Sequence, residues 1–228
     1  MAEKINITTE DGVQIVGLWE DVGATESGAV LLLHMMPATK ESYADFQSKL
    51  KAAGISSLAI DFRGHGGSVR TADGRNLDYK KFSDAEHQTK IKDIEAARSW
   101  LLEKGIESSR LVLVGASIGA NLALQEMANR PEIPAGVILS PGLNYRGILT
   151  VPLVGALGRG QAVYLVASAD DPESAEAAEK LAEVSLAKTQ VKIFKTAGHG
   201  TTMLENEPEF AKELVTWVAS SLPVTRKL

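Results

Sequence analysis

Residues 112–124 read LVGASIGANLALQ, with Ser117 set between Gly115 and Gly119. A strand-like run precedes this serine and a helix-like run follows it, so Ser117 sits on a sharp bend. The plain reading is a small residue in a tight turn. The chemical reading is a nucleophile. A serine hydroxyl reacts poorly at neutral pH and needs an adjacent base. His199, in Gly198-His199-Gly200, can be that base, because histidine titrates at ~6.5. Asp170 or Asp171 can hold the imidazole in one tautomer and stabilise the imidazolium. The backbone N–H of Ile118, at the helix start, can point at a developing oxyanion.

These groups fall where strands end. Apolar runs at 29–34, 56–61, 110–115, 135–140, 161–168 and 191–196 read as buried strands. Helical patterns lie between them. Tyr43, Phe46 and Leu50 share one face of the first. Ser83 and Glu86 form a capping-box pattern leading into a helix with Ile91, Ile94, Trp100 and Leu101 inside. Further helices are predicted to about Asn129, over Pro172–Lys188, and around Phe210, Leu214, Trp217 and Val218. Two alternating segments, 3–9 and 13–20, precede this rhythm, with Asp11-Gly12 as a hairpin turn. The alternation predicts an α/β fold: a mainly parallel sheet with helices on both faces, led by an antiparallel hairpin. In such sheets ligands bind beyond the carboxyl ends of the strands. The serine, the carboxylates and the histidine follow three of those ends.

Composition narrows the class of function. The chain has 228 residues, long enough for one α/β domain, and the reading is a single domain over 1–228. Net charge is −5, from 24 basic and 29 acidic residues, with no basic block. Nucleic acid and anionic membranes reward clustered cations, so neither is an expected partner. The absence of cysteine excludes disulfides, thiolate metal sites and a cysteine nucleophile. MAEKINITTEDG lacks an apolar core and does not read as a signal peptide, so the cytoplasm is the expected compartment. No metal-ligand spacing appears, and no cofactor is expected.

The whole pattern resembles the α/β-hydrolases of the serine-esterase and dienelactone-hydrolase-like kind. Gly115-Ala116-Ser117-Ile118-Gly119 matches that family's nucleophile elbow. Asp61-Phe62-Arg63-Gly64-His65-Gly66-Gly67-Ser68 resembles its D-x-R-G-H-G-x-S turn, and the order serine, acid, histidine agrees. The resemblance covers nearly the whole chain. It implies a twisted sheet of about eight strands and an ester-cleaving triad of Ser117, Asp171 and His199. Asp171 is favoured over Asp170 because Pro172 follows it. The resemblance also implies a second oxyanion donor, the backbone N–H of Met36. Met35 stands where glycine is usual and becomes a candidate for the substrate pocket. His34 and His65 are expected to be structural, and His87 to be solvated.

The stretch 141–160 is too short for a separate cap domain. It carries Leu143, Ile148, Leu149, Val151, Leu153, Val154 and Leu157, too apolar for an ordinary solvated loop. Two readings stand side by side. Its apolar residues pack on the domain core, or it is a short flap over Ser117 with Leu149 and Leu153 lining an acyl pocket. The expected substrate is a small-molecule carboxylic ester of short to medium acyl chain. Thioester or amide cleavage, acyl transfer, and a non-catalytic binding protein of the same fold are the rivals.

Overall fold

A computed structural model describes residues 2–23 and 28–222. In chain order the strands are β1 (Glu3–Thr8), β2 (Val13–Glu20), β3 (Ala29–Leu33), β4 (Ser56–Ile60), β5 (Arg70–Thr71), β6 (Leu111–Ala116), β7 (Ala135–Leu139), β8 (Asn144–Tyr145), β9 (Ile148–Leu149), β10 (Ala162–Ser168) and β11 (Lys188–Phe194). The helices are α1 (Ala44–Ala52), α2 (Asp84–Gln88), α3 (Ile91–Glu103), α4 (Ile118–Asn129), α5 (Thr150–Gly155), α6 (Pro172–Val184), α7 (Thr202–Asn206) and α8 (Pro208–Ser221).

The main sheet runs β1-β2-β4-β3-β6-β7-β10-β11, with β5 beside β2. From β4 to β11 all neighbours are parallel, while β1 and β2 pair antiparallel and β2 meets β4 antiparallel. This is the α/β-hydrolase sheet. Side chains alternate faces along each strand. Leu31, Leu33 and Leu113 join the helices α3, α4, α5 and α6 in one core layer. Val30, Leu32, Val112 and Val114 join α1, α7 and α8 in the other. Strands buried on both faces must be apolar throughout, which is why β3, β4, β6 and β7 read as unbroken runs.

Three expectations change. The helix begun at Pro172 stops at Val184, and residues 188–190 pair with β10 instead. Ser185 turns the chain: its hydroxyl accepts from the Ala187 amide at 3.2 Å and from the Thr189 hydroxyl at 2.8 Å. Such local bonds compete with helix continuation. The Ser83–Glu86 capping box is present, but the helix it opens ends at Gln88, and α3 starts afresh at Ile91. The Thr89 hydroxyl donates back to the Glu86 carbonyl at 2.7 Å at this break. His87, expected in solvent, is buried.

Candidate active site

The bend at Ser117 is strained. Its φ of 55° and ψ of −119° lie where a side chain is rarely tolerated. The neighbouring glycines make the bend possible. A Cβ on Gly115 would lie 2.2 Å from the Gly119 carbonyl oxygen, so α4 can fold back on β6 only if that Cβ is missing. Ser117 N–H donates to the Leu139 carbonyl at 2.9 Å, which ties the bend to β7. The Ser117 carbonyl accepts from Ala120 at 2.9 Å, so the helix begins at once. The amides of Ile118 and Gly119 then belong to the unpaired first turn. The serine is partly exposed on a core-bound turn.

Asp171 and His199 meet. Nδ1 of His199 lies 2.6 Å from Oδ2 of Asp171, so Nε2 is the ring nitrogen turned away from the carboxylate. Asp170 points elsewhere. Its Oδ1 accepts from the Gly198 amide at 3.3 Å and from the Ser168 hydroxyl, a contact that holds its carboxyl below the ordinary range. Ser168 also accepts from the Ala197 amide at 2.7 Å. The two adjacent aspartates thus divide the work: Asp170 shapes the loop and Asp171 reaches the imidazole. Gly200 N–H donates to the Ser140 hydroxyl at 2.8 Å and fixes the far side of His199. Because β6, β10 and β11 are parallel, Ser117, Asp171 and His199 share one rim of the sheet.

The loop after β3 is pinned by His34. Its Nδ1 bonds to the Met35 carbonyl at 2.7 Å and its Nε2 accepts from the Phe62 amide at 3.0 Å. That pattern requires the neutral ring protonated at Nδ1, and burial agrees by pushing its pKa down to about 4. Met35 packs beside the His199 loop, since a Cβ on Gly200 would lie 2.6 Å from Met35 Sδ. The Asp61–Ser68 turn is a knot of bonds. Asp61 accepts from the Lys40 amide at 2.8 Å, the Lys40 ammonium at 2.7 Å and the Gly67 amide at 2.8 Å. Arg63 bonds Asp93 through Nε at 2.8 Å and Asp11 through Nη1 at 2.7 Å. His65 stacks on Tyr79, ring centres 3.7 Å apart. This turn braces the loops around the site.

Residues 141–160 divide between the two readings. Ile148, Val154 and Leu157 are buried in the core, and Leu153 packs against it. Leu149 is 53% exposed. The segment also brings a residue the sequence reading passed over, Tyr145, within range of Ser117. Its hydroxyl lies 3.2 Å from Ser174 Oγ and interacts with the Ser117 side chain, and Asp171 acts on it through charge. Burial pushes the phenol up from its ordinary range. Asn121, in the first turn of α4, holds this segment down. Its amide donates to the carbonyls of Gly142 at 3.0 Å and Ile148 at 3.1 Å, and its carbonyl accepts from the Gly142 amide at 3.1 Å. A polar NYRG inside an apolar stretch was the available signal for Tyr145. An asparagine among the small and apolar residues that open α4 was the signal for Asn121.

Among the described residues, no group of three His, Asp or Glu side chains is placed to hold a metal ion, and no helix is long and apolar enough to cross a membrane. Residues 24–166 match the family model described as serine aminopeptidase, S33. An uncharacterized protein of Mycobacterium tuberculosis is 28% identical over 135 residues, which is 58% of this chain and 43% of that one, so the chain spans less than half of that relative. Among solved structures, an esterase of Pyrococcus furiosus superposes with a TM-score of 0.74 at 20% identity, covering 97% of this chain and 90% of that one. A dienelactone hydrolase of Anabaena variabilis gives 0.74 at 18% identity, covering 97% and 96%. At those identities the likeness is one of fold.

Proposed function

The chain belongs to the serine aminopeptidase (S33) family of hydrolases, and we propose that it cleaves small carboxylic esters through an acyl-enzyme on Ser117. The observation that carries this reading is the 2.6 Å bond between Asp171 and His199, on the same sheet rim as the strained Ser117. Asp171 holds the imidazole with its proton on Nδ1. Nε2 of His199 then takes the hydroxyl proton as Ser117 Oγ attacks the acyl carbon. The carbonyl oxygen becomes an oxyanion, and the amides of Ile118 and Met36 stabilise it. His199 returns the proton to the departing alcohol. Water, activated by the same histidine, releases the acid and restores Ser117.

In this reading the chain works as one domain, with residues 141–160 as a short flap in place of a cap. Tyr145 supports the flap role by reaching the serine. Leu149, exposed on the strand that pairs with Tyr145's own, and Met35, next to the His199 loop, are the acyl-pocket candidates, together with Leu153. So small a cover suits short to medium acyl chains.

A fluorophosphonate probe tests the assignment, because only an activated serine is labelled. Wild type should be labelled at Ser117 and should hydrolyse p-nitrophenyl acyl esters. Ser117→Ala should stay folded and lose both, with a rate loss on the order of 10⁴–10⁶. Wild-type turnover by the variant would overturn the role of Ser117. The family description favours a second reading, amide cleavage. Aminoacyl anilides hydrolysed faster than the matched esters would establish it.

A further inference from the structure

Behind the loop that carries Met36 lies a lysine without an anion. Lys90 is fully buried at the junction of α2 and α3. Its Nζ lies 2.8 Å from Nδ1 of His87, 3.4 Å from Nε2 of His65 and 3.6 Å from Sδ of Met36. The rings of Phe62 and Phe82 stand 6.0 and 5.9 Å away. Among the described residues no carboxylate reaches Nζ within ion-pair distance. Asp93, close in sequence, is bonded to Arg63 through both oxygens. Buried ammonium groups are almost always paired, because desolvating one is costly. The serine relay makes no use of this lysine.

Three neighbours of Lys90, namely Met36, Phe82 and His87, also line an open cleft of about 370 Å³. Pro37, Tyr79, Lys80 and Arg146 line the rest of it. Two of its lining residues connect it along the chain to the proposed reacting centre. Met36 supplies the proposed oxyanion amide, and Arg146 directly follows Tyr145, which reaches Ser117. The Arg146 carbonyl accepts from the Gln88 side chain at 2.9 Å, which locks the flap turn to α2.

The lining has the chemistry of an anion site with flat apolar walls. Lys90 takes Nδ1 of His87, so His87 keeps its proton on Nε2 and offers a donor. Burial and the nearby Lys90 hold His87 neutral, at about 4. Among the described residues the Arg146 guanidinium is paired with Asp84 alone, at 3.3 Å, with both side chains exposed, and a ligand can exchange for such a pair. Lys80 adds a second cation. The nearby Glu86 is occupied in the helix cap, accepting from Ser83 N–H at 2.7 Å and Ser83 Oγ at 2.8 Å. Tyr79 and Phe82 supply the apolar walls.

Resting on the esterase reading, we propose that this cleft binds a free carboxylate of the substrate, held by His87 and Arg146 over the buried charge of Lys90. The substrate class is then a half-ester: a compact ester with a carboxylate a few atoms from the scissile bond.

The test is equilibrium binding to Ser117→Ala, which cannot turn the ligand over. Monomethyl adipate is compared by calorimetry with methyl 6-methylheptanoate, its uncharged isostere. Monomethyl adipate should bind about tenfold or more tightly, as charge-assisted hydrogen bonds require. Adding Arg146→Ala, or separately Lys90→Met, should reduce that ratio about tenfold. Equal binding of the two esters, or a preference that survives both added substitutions, overturns the proposal. The two readings fail separately: a preference for monomethyl adipate in a wild type that hydrolyses no ester would keep the carboxylate subsite and remove the esterase.

Discussion

Gly119 packs its bare Cα against the end of β3, where a Cβ would lie 2.3 Å from the carbonyl oxygen of Leu33. The His34 carbonyl would be 2.8 Å away. The obstacle is backbone, so it cannot swing aside as a side chain would. Gly119→Ala should therefore cost ~1–3 kcal/mol or more in stability, as overpacking does. It should also shift Ile118, the neighbouring oxyanion donor of the proposed mechanism, and lower kcat. Urea unfolding and ester turnover measure the two effects. An unchanged midpoint would mean that α4 does not approach β3 this closely.

Asp171 and Asp170 should separate on substitution. Asp171→Asn removes the acceptor 2.6 Å from His199 Nδ1 and should lower kcat by ~10⁴ through loss of tautomer control. Asp170→Asn touches only the loop bonds to Gly198 and Ser168 and should have a far smaller effect. Steady-state kinetics on the purified variants decides. A reversed order would transfer the acid role to Asp170.

Lys90 gives the stability a pH dependence. Burial lowers its pKa to about 7 from the ordinary 10.5. Between those values the unfolded chain holds the proton and the folded protein releases it. Stability from this group therefore rises as pH increases from 7 to 10.5, and below 7 the cost of the buried charge is fully felt. Lys90→Met removes the charge. The variant should exceed wild type at pH 7 by on the order of 1–4 kcal/mol, and the gap should close toward pH 10. Thermal unfolding across that range measures it. A gap that does not change with pH would show that Lys90 keeps its proton on folding and that burial does not lower its pKa.

The flap offers two leucines in different settings. Leu149 is exposed, so Leu149→Ser should change stability by less than ~0.5 kcal/mol. Leu153 packs on the core, so Leu153→Ser should cost ~1–2 kcal/mol. If Leu149 lines the acyl site, its loss should flatten the dependence of kcat/KM on acyl length, where each CH₂ contributes up to ~0.8 kcal/mol. A panel of esters of graded chain length reads this out. An unaltered profile in a stable Leu149→Ser would exclude Leu149 from the acyl site.

Sequence by itself determined what neighbouring residues decide. The apolar runs of β3, β6, β7 and β10 announced a sheet covered on both faces, because a strand with no solvent face has no use for polar residues. Gly115 and Gly119 marked Ser117, because a bend that tight needs missing Cβ atoms within two residues of it. The order of Ser117, the aspartates and His199 along successive strands placed them on one rim, because parallel strands share their ends. Local competition was harder to see: Ser185 and Thr89 each stop a helix through side-chain bonds that periodicity does not register. Tertiary structure alone decided what distant segments bring together. Asp171 faces His199 only because Ser168 and Gly198 turn Asp170 away from it. Tyr145 is brought toward Ser117 by a segment that Asn121 ties down from α4 through Gly142 and Ile148. Lys90, an unremarkable lysine between two helical patterns, became a buried charge because the break after Gln88 turns it inward onto His87, His65 and Met36. A sequence pattern encodes which face of an element is apolar, whereas the partner of a single polar side chain depends on how several elements pack at once.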